Sequence, residues 1–267
     1  MAVSPLYESR ALRAVTGPTI RPGGLAVTEA AVRFSRLPPG SRVLDLGCGT
    51  GATVGYLTDR WELKAVGIDR SARLLADGRR DRPDLPLARA DAGLIPVASG
   101  RLDAVSCECV LSLTADPMAV LRECVRVLRP GGYLILADLY RRSTDWEDLQ
   151  GFGNLGGLSG NLGGLSTGGS RTAPTAECCI AGAVSRECLE GRLTAAGFSI
   201  RLWTDYSEAL KVLAARLVWE SVDPSEILAT PGRGRRTGGT APGRLGYCLV
   251  IATRDDPPRQ GEAGGPA

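Results

Sequence analysis

From Arg42 to Asp138 short apolar or β-branched runs alternate with stretches whose apolar residues recur at helical spacing. That alternation is the pattern of βαβ units, in which parallel strands lie side by side under covering helices. The runs predict strands at Arg42–Leu46, Lys64–Asp69, Leu87–Ala90, Asp103–Cys107 and Tyr133–Asp138. A helix is predicted from Leu113 to Arg129, with Val120, Leu121, Val125, Val127 and Leu128 as its apolar residues. Arg129-Pro130-Gly131-Gly132 ends it, because proline cannot continue a helix and glycine frees the turn. An earlier helix is predicted from Leu25 to Arg36, before Pro38-Pro39-Gly40. Downstream the pattern gives a helix near Ser185–Ala196, a strand at Ser199–Thr204, a helix from Ser207 to about Glu220 and a last strand at Tyr247–Thr253.

Between these halves the composition changes. Gly153-Asn154-Leu155-Gly156-Gly157-Leu158-Ser159 is followed directly by its copy, Gly160 to Ser166. One duplication of this length is too short for a solenoid, and such glycine density is costly in entropy to order. Residues 151–170 therefore read as a flexible insertion, with a mobile lid as the alternative. Residues 1–40 read as an N-terminal helical cap, 41–255 as one doubly wound α/β domain and 256–267 as a disordered tail.

A chain of 267 residues, 43% of them apolar, suits one domain with a proper core. The net charge of +3 arises from 32 basic and 29 acidic residues without like-charge runs, so neither a nucleic-acid nor a membrane partner is expected. No apolar stretch reaches the ~20 residues of a spanning helix, and Met1 to Arg13 lacks a signal pattern. The chain thus reads as cytoplasmic. Its eight cysteines then read as core residues, metalloid ligands or reactive thiols rather than a disulfide framework. Histidine is absent, which excludes Ser-His-Asp and Cys-His nucleophile systems and ordinary histidine zinc sites. Proton transfer would fall to carboxylates, tyrosine or cysteine.

Asp45-Leu46-Gly47-Cys48-Gly49-Thr50-Gly51 ends the first strand and opens a helix, so its glycines permit a tight turn and close approach to a ligand. Gly47, Gly49 and Ala52 also satisfy a loose dinucleotide fingerprint. Asp69 ends the second strand, where a carboxylate accepts from both hydroxyls of a ribose, and Asp91 follows the third, where it can face an adenine amino group. Asp45 suits a ligand carrying an amino-acid ammonium better than one carrying a pyrophosphate.

On these residues, with Gly67-Ile68-Asp69, Ala90-Asp91-Ala92, Leu102-Asp103-Ala104-Val105 and Leu128-Arg129-Pro130-Gly131-Gly132, the chain resembles the class I S-adenosylmethionine-dependent methyltransferases. The resemblance covers about 42–140, with weaker agreement to 253. It implies a mostly parallel, seven-stranded Rossmann-like sheet whose last strand runs antiparallel. It also implies S-adenosylmethionine as cofactor, with the methionine moiety on the glycine loop, the ribose on Asp69 and the adenine by Asp91. The expected donor-site set is Asp45, Gly47, Cys48, Gly49, Gly51, Asp69, Arg70, Asp91, Ala92, Cys107 and Arg21. Arg21, in Thr19-Ile20-Arg21-Pro22-Gly23-Gly24, would cover the methionine carboxylate or merely belong to a turn that caps the next helix.

Methyl transfer from a sulfonium needs alignment and exclusion of water, and a thiolate or thiol-bound trivalent arsenic attacks without a strong base. Cys107 and Cys109 end the fourth strand, and their two-residue spacing puts both on one face if the strand persists. Glu108-Cys109-Val110-Leu111-Ser112-Leu113 and Glu177-Cys178-Cys179-Ile180-Ala181-Gly182-Ala183 resemble segments of the arsenite methyltransferase branch. That likeness implies Cys109 with Cys179, or Cys178 in its stead, as ligands of trivalent arsenic. Unlike that branch, the chain has its first cysteine, Cys48, inside the glycine loop. Cys107, Cys124, Cys188 and Cys248 are expected as small core residues, and no resident metal is expected.

The leading expectation is a methyltransferase for a small soft acceptor, arsenite or a thiol-bound metalloid. The alternative is a small-metabolite O-, N- or C-methyltransferase with Glu108 or Asp138 as base. A nicotinamide oxidoreductase and a non-catalytic metalloid sensor are more distant readings. The oligomeric state stays open.

Overall fold

The computed structural model describes residues 7–8, 10–142, 182–219 and 245–255. The elements are α1 (Arg10–Thr16), α2 (Leu25–Ser35), β1 (Arg42–Leu46), α3 (Ala52–Trp61), β2 (Lys64–Asp69), α4 (Ala72–Asp81), β3 (Leu87–Arg89) and β4 (Leu102–Glu108). They continue with α5 (Pro117–Val127), β5 (Leu128–Arg141), β6 (Val184–Ser185), α6 (Arg186–Ala196), β7 (Phe198–Asp205), α7 (Ser207–Trp219) and β8 (Leu245–Arg254). The glycine-rich duplication and the tail lie outside the described residues.

The strands form one sheet in the order β3-β2-β1-β4-β5-β8-β7, with β6 paired to β5 off this path. β1 to β5 are parallel, and β8 runs antiparallel between β5 and β7. This is the expected seven-stranded sheet with its antiparallel last strand, plus the short β6. β1 and β2 fall where their apolar runs end, as buried parallel strands should. The sheet is covered on both faces: α5 and α6 close one core against β4 and β5, while Val27 and Ala31 of α2 pack on Ile135, Tyr247 and Leu249 across the other.

Of the boundaries that shift from expectation, the two largest around α5 do so for local reasons. The helix predicted from Leu113 begins at Pro117, because Leu111–Leu113 forms a 3-10 turn and Asp116 caps the new helix, its Oδ1 accepting from Ala119 N at 2.9 Å. Asp followed by Pro is a helix-start signal in its own right. The helix stop at Arg129 to Gly132 belongs instead to β5: Leu128 pairs with Leu102 and Tyr133 with Ala104, so the intervening residues loop out as an irregularity.

β1 lies between β2 and β4, so the chain winds outward in one direction through β3 and then in the other through β5. That reversal opens a crevice at the C-terminal ends of β1 and β4, where ligands of such sheets bind. α4 approaches the loop at this crevice unusually closely, since a Cβ on Gly78 would stand 2.3 Å from the Thr50 carbonyl oxygen. Gly78→Ala is therefore expected to destabilise the protein by about 1–3 kcal/mol through overpacking. Urea unfolding checks this, and an unchanged midpoint would show that α4 does not need to seat against the loop.

Candidate functional site

β1 delivers Asp45 and Leu46 to the crevice, and the chain then turns through Gly47, Gly49 and Gly51, all with left-handed φ of 74°, 55° and 83°. Glycine takes these angles without strain. Gly47 N and Cys48 N donate to the Ile68 carbonyl at 2.8 and 3.0 Å, which ties the loop to β2. Gly49 N donates to Asp69 Oδ2 at 2.8 Å and Ser71 N to Asp69 Oδ1 at 2.7 Å. Asp69 is thereby held rigidly, and each of its oxygens keeps a lone pair for a further donor. Gly51 does not line the cavity: a Cβ there would meet the Leu87 side chain at 2.9 Å, so this glycine serves the turn and its packing.

The cavity above the loop measures about 810 Å³ and is lined by Asp45, Gly47, Cys48, Gly49, Asp69, Arg70, Asp91, Ala92, Arg21 and Cys109 among others. Asp91 is exposed, with Oδ1 accepting from Gly93 N at 2.8 Å, and Ala92 is a buried apolar neighbour. Tyr7, Pro18 and Ile20 bring the N-terminal segment to the same wall.

Arg21 lines the cavity and also makes contacts within the protein. Its guanidinium is buried and already engaged, Nη2 lying 2.8 Å from Glu108 Oε2 and donating to Thr28 Oγ1 at 2.6 Å, while Nη1 donates to Thr53 Oγ1 at 3.1 Å. It joins the N-terminal cap, α2, the first turn of α3 and the end of β4. Burial is the largest influence and works against its charge, but Glu108, then Tyr247, Asp45 and Cys109, together more than offset it and its pKa is raised. Asp45, 3% exposed, lies on the same wall, and burial first, then the Glu108 charge, holds its pKa well above the ordinary range. Arg21 neutralises one of the two acids, so this group, Asp45 charged, has one negative charge in excess, matched to a bound cation.

The cysteines also divide differently from expectation. β4 ends at Glu108, and Cys109 takes a left-handed φ of 56°, which breaks the alternation that would have put Cys107 and Cys109 on one face. Cys107 is a core residue rather than a cofactor contact, 1% exposed, its thiol pushed up by burial and then by Cys124. Cys109 joins the cavity wall with its Sγ 3.6 Å from Tyr247 Oη. Cys124, Cys188 and Cys248 are buried as expected. Cys178 and Cys179 lie outside the described residues. Among the described residues no group of three His, Cys, Asp or Glu gathers to hold a metal, and no helix is long and apolar enough to cross a membrane.

Neither candidate base is available. Glu108 is ion-paired with Arg21 and also accepts from Thr28 Oγ1 at 2.9 Å. Asp138 is 2% exposed, accepting from Ser112 N at 2.9 Å, Ser112 Oγ at 2.6 Å and Leu139 N at 2.8 Å. Burial raises its pKa against the lowering by those bonds. Thr28 and Tyr247 escape sequence reading because each reaches the site from an element remote from the glycine loop, and Thr53, just after that loop, because its partner Arg21 lies 32 residues earlier.

Residues 44–136 match the profile of a methyltransferase domain family. Over 117 residues the chain is 42% identical to demethylmenaquinone methyltransferase of Beutenbergia cavernae, covering 43% of this chain and 48% of that protein. It is 27% identical over 141 residues to arsenite methyltransferase of Halobacterium salinarum, covering 50% and 36%. The chain thus spans half or less of the length of these curated relatives. Phosphoethanolamine N-methyltransferase 2 of Haemonchus contortus, solved with S-adenosyl-L-methionine, shares the fold at 16% identity and a TM-score of 0.65, covering 92% of this chain and 56% of that one. SpnF, a 4+2 cyclase, also shares it, at 22% identity and a TM-score of 0.65 over 94% and 93% of the two chains. Residues 44–136 are thus similar to methyltransferase domains, and S-adenosyl-L-methionine is the ligand solved with one neighbour of the same fold. The cavity lining would suit that molecule, with glycine amides and Asp69 available to its methionine and ribose, Asp91 to its adenine and Asp45 to its ammonium.

Because its folded pKa is raised, Asp45 holds a proton at pH values where the unfolded chain does not. The unliganded protein should gain stability from this group as pH falls through that range. Affinity for S-adenosylhomocysteine should move oppositely, since protonation removes the partner of the ammonium. Calorimetric titration against pH is expected to show weakening that starts above the ordinary aspartate range, and Asp45→Asn should flatten the profile and cost roughly tenfold or more in affinity.

Proposed function

We propose that this protein transfers the methyl group of S-adenosylmethionine to a small acceptor that brings its own nucleophilicity, with arsenite or a thiol-bound metalloid as the leading case. The observation that carries this reading is the engagement of the two carboxylates considered as bases, Glu108 and Asp138. Glu108 is committed to Arg21 and Asp138 to Ser112, and the chain has no histidine. A hydroxyl or ammonium acceptor needs its proton removed as the bond forms. A thiolate, a trivalent arsenic lone pair or an electron-rich carbon attacks the sulfonium methyl without that help.

In the reaction, the glycine loop, Asp69 and Asp91 fix the adenosyl group, while Asp45 holds the methionine ammonium and so aims the sulfonium toward the wall formed by Cys109, Val110 and Leu113. The acceptor enters from that wall, its lone pair takes the methyl carbon, and the electrons of the broken bond return to sulfur. Alignment and exclusion of water supply the rate. Cys109 is the one thiol on the cavity wall among the described residues that also meets a hydroxyl, Tyr247. It is the proposed first ligand of a metalloid acceptor, with Cys179 or Cys178 as its counterpart.

A second reading, an aromatic carbon acceptor, is favoured by the apolar Pro18, Ile20, Val110 and Leu113 wall and by the 42% identity to a demethylmenaquinone methyltransferase. Labelled methyl transfer across arsenite with thiols, a thiol panel and hydroquinones tests both. Transfer to arsenite that falls at least roughly 100-fold in Cys109→Ser supports the metalloid reading. Transfer to hydroquinones alone, unaffected by Cys109→Ser, replaces it with the carbon reading.

A further inference from the structure

A second concavity, also about 810 Å³, lies at the other end of the sheet from the donor cavity. It sits between the C-terminal end of α2 and the place where the start of β5 meets the end of β8, Tyr133 pairing with Thr253. Arg33, Arg36, Arg201 and Arg254 line it, opposed by a single acid, Asp255. With only two lysines among 32 basic residues, arginine number alone carries nothing in this chain. Placement does. Arg33 is neutralised by Glu29, but Arg36, Arg201 and Arg254 against Asp255 still leave the recess with a positive excess, which a bound anion relieves.

Their existing bonds leave them able to receive such an anion. Arg33 pairs with Glu29 at 2.6 Å, Arg201 Nε donates to Thr253 Oγ1 at 2.9 Å, and Arg254 donates to the Leu128 carbonyl. Each guanidinium has five N–H donors, so donors remain on all three. Arg36 makes no ion pair among the described residues, and it caps α2 in the left-handed conformation at φ 47°. Beside them Phe34 leaves 43% of its surface open, an apolar ring at the rim of a charged recess. Guanidinium groups match phosphate oxygens in planar, paired hydrogen bonds, and an exposed ring offers a stacking face.

We propose that this groove binds a small phosphate ester that carries an aromatic ring, the phosphates held by Arg36, Arg201 and Arg254 and the ring laid against Phe34. The site is separate from the donor cavity and does not depend on which acceptor is methylated. ATP, pyrophosphate and adenosine serve as probes, titrated calorimetrically into the full chain with the donor cavity filled by S-adenosylhomocysteine. ATP should bind more tightly than pyrophosphate, adenosine should not bind, and the ATP affinity should fall with added salt.

Arg36→Glu with Arg201→Glu should weaken ATP by roughly tenfold or more, and Arg36→Gln with Arg201→Gln by less, with S-adenosylhomocysteine affinity and the thermal midpoint unchanged. Phe34→Ala should weaken ATP and leave pyrophosphate unaltered. Absence of ATP binding, or binding that the charge reversal does not alter, overturns the site. Pyrophosphate binding as tightly as ATP overturns the ring's part in it.

Discussion

The buried pair of Arg21 and Glu108 is the contact on which the crevice depends. Removing both charges from water is expensive, and only close geometry with further hydrogen bonds compensates. Thr28, Thr53 and the Gly24 carbonyl supply those bonds, so one guanidinium holds together the N-terminal cap, α2, the first turn of α3 and the end of β4. The cap itself is tethered farther along by Glu8 to Ser71 and Arg13 to Asp77. Between these ties Tyr7, Pro18 and Ile20 lie over the cavity.

The same pair sets the chemistry of the site. With Glu108 neutralised by Arg21, Asp45 is left as the buried carboxylate of the pair that faces the cavity without a partner guanidinium of its own among the described residues. Asp138 is engaged by Ser112 in a similar way: it is buried and its oxygens already accept from three donors, so an acceptor's proton does not reach it. The wall beyond the glycine loop combines apolar surface, Val110 and Leu113, with the thiol of Cys109. A site of this kind can lower a barrier by holding reactants in line.

Glycine has two separate duties here. Gly49 shapes the loop and Gly78 lets α4 pack against it, while Gly47 and Gly51 do both, with left-handed φ and a Cβ position 2.3 Å from Val110 and 2.9 Å from Leu87. Gly78 lies in the middle of α4, where glycine disfavours the helix. Its contact with the Thr50 carbonyl explains why that local cost is tolerated.

Much of this was legible in the sequence wherever local periodicity and backbone sterics decide the outcome. β1 and β2, the loop of Gly47 and Gly49, and the strand-end acids Asp69 and Asp91 follow from runs of apolar residues ended by turn-forming ones, and no distant contact is needed to define them. Helix starts were less legible at Asp116-Pro117, where the cap outweighed an apolar pattern that extended farther back. Tertiary structure alone decided which way Cys109 turns, because one left-handed residue after β4 reverses the face that strand spacing implies. It alone decided that Arg21 meets Glu108, and that Tyr247, 138 residues beyond Cys109, closes beneath that thiol. Charge pairing and burial depend on elements that meet only when the sheet is assembled, and no local pattern records that meeting.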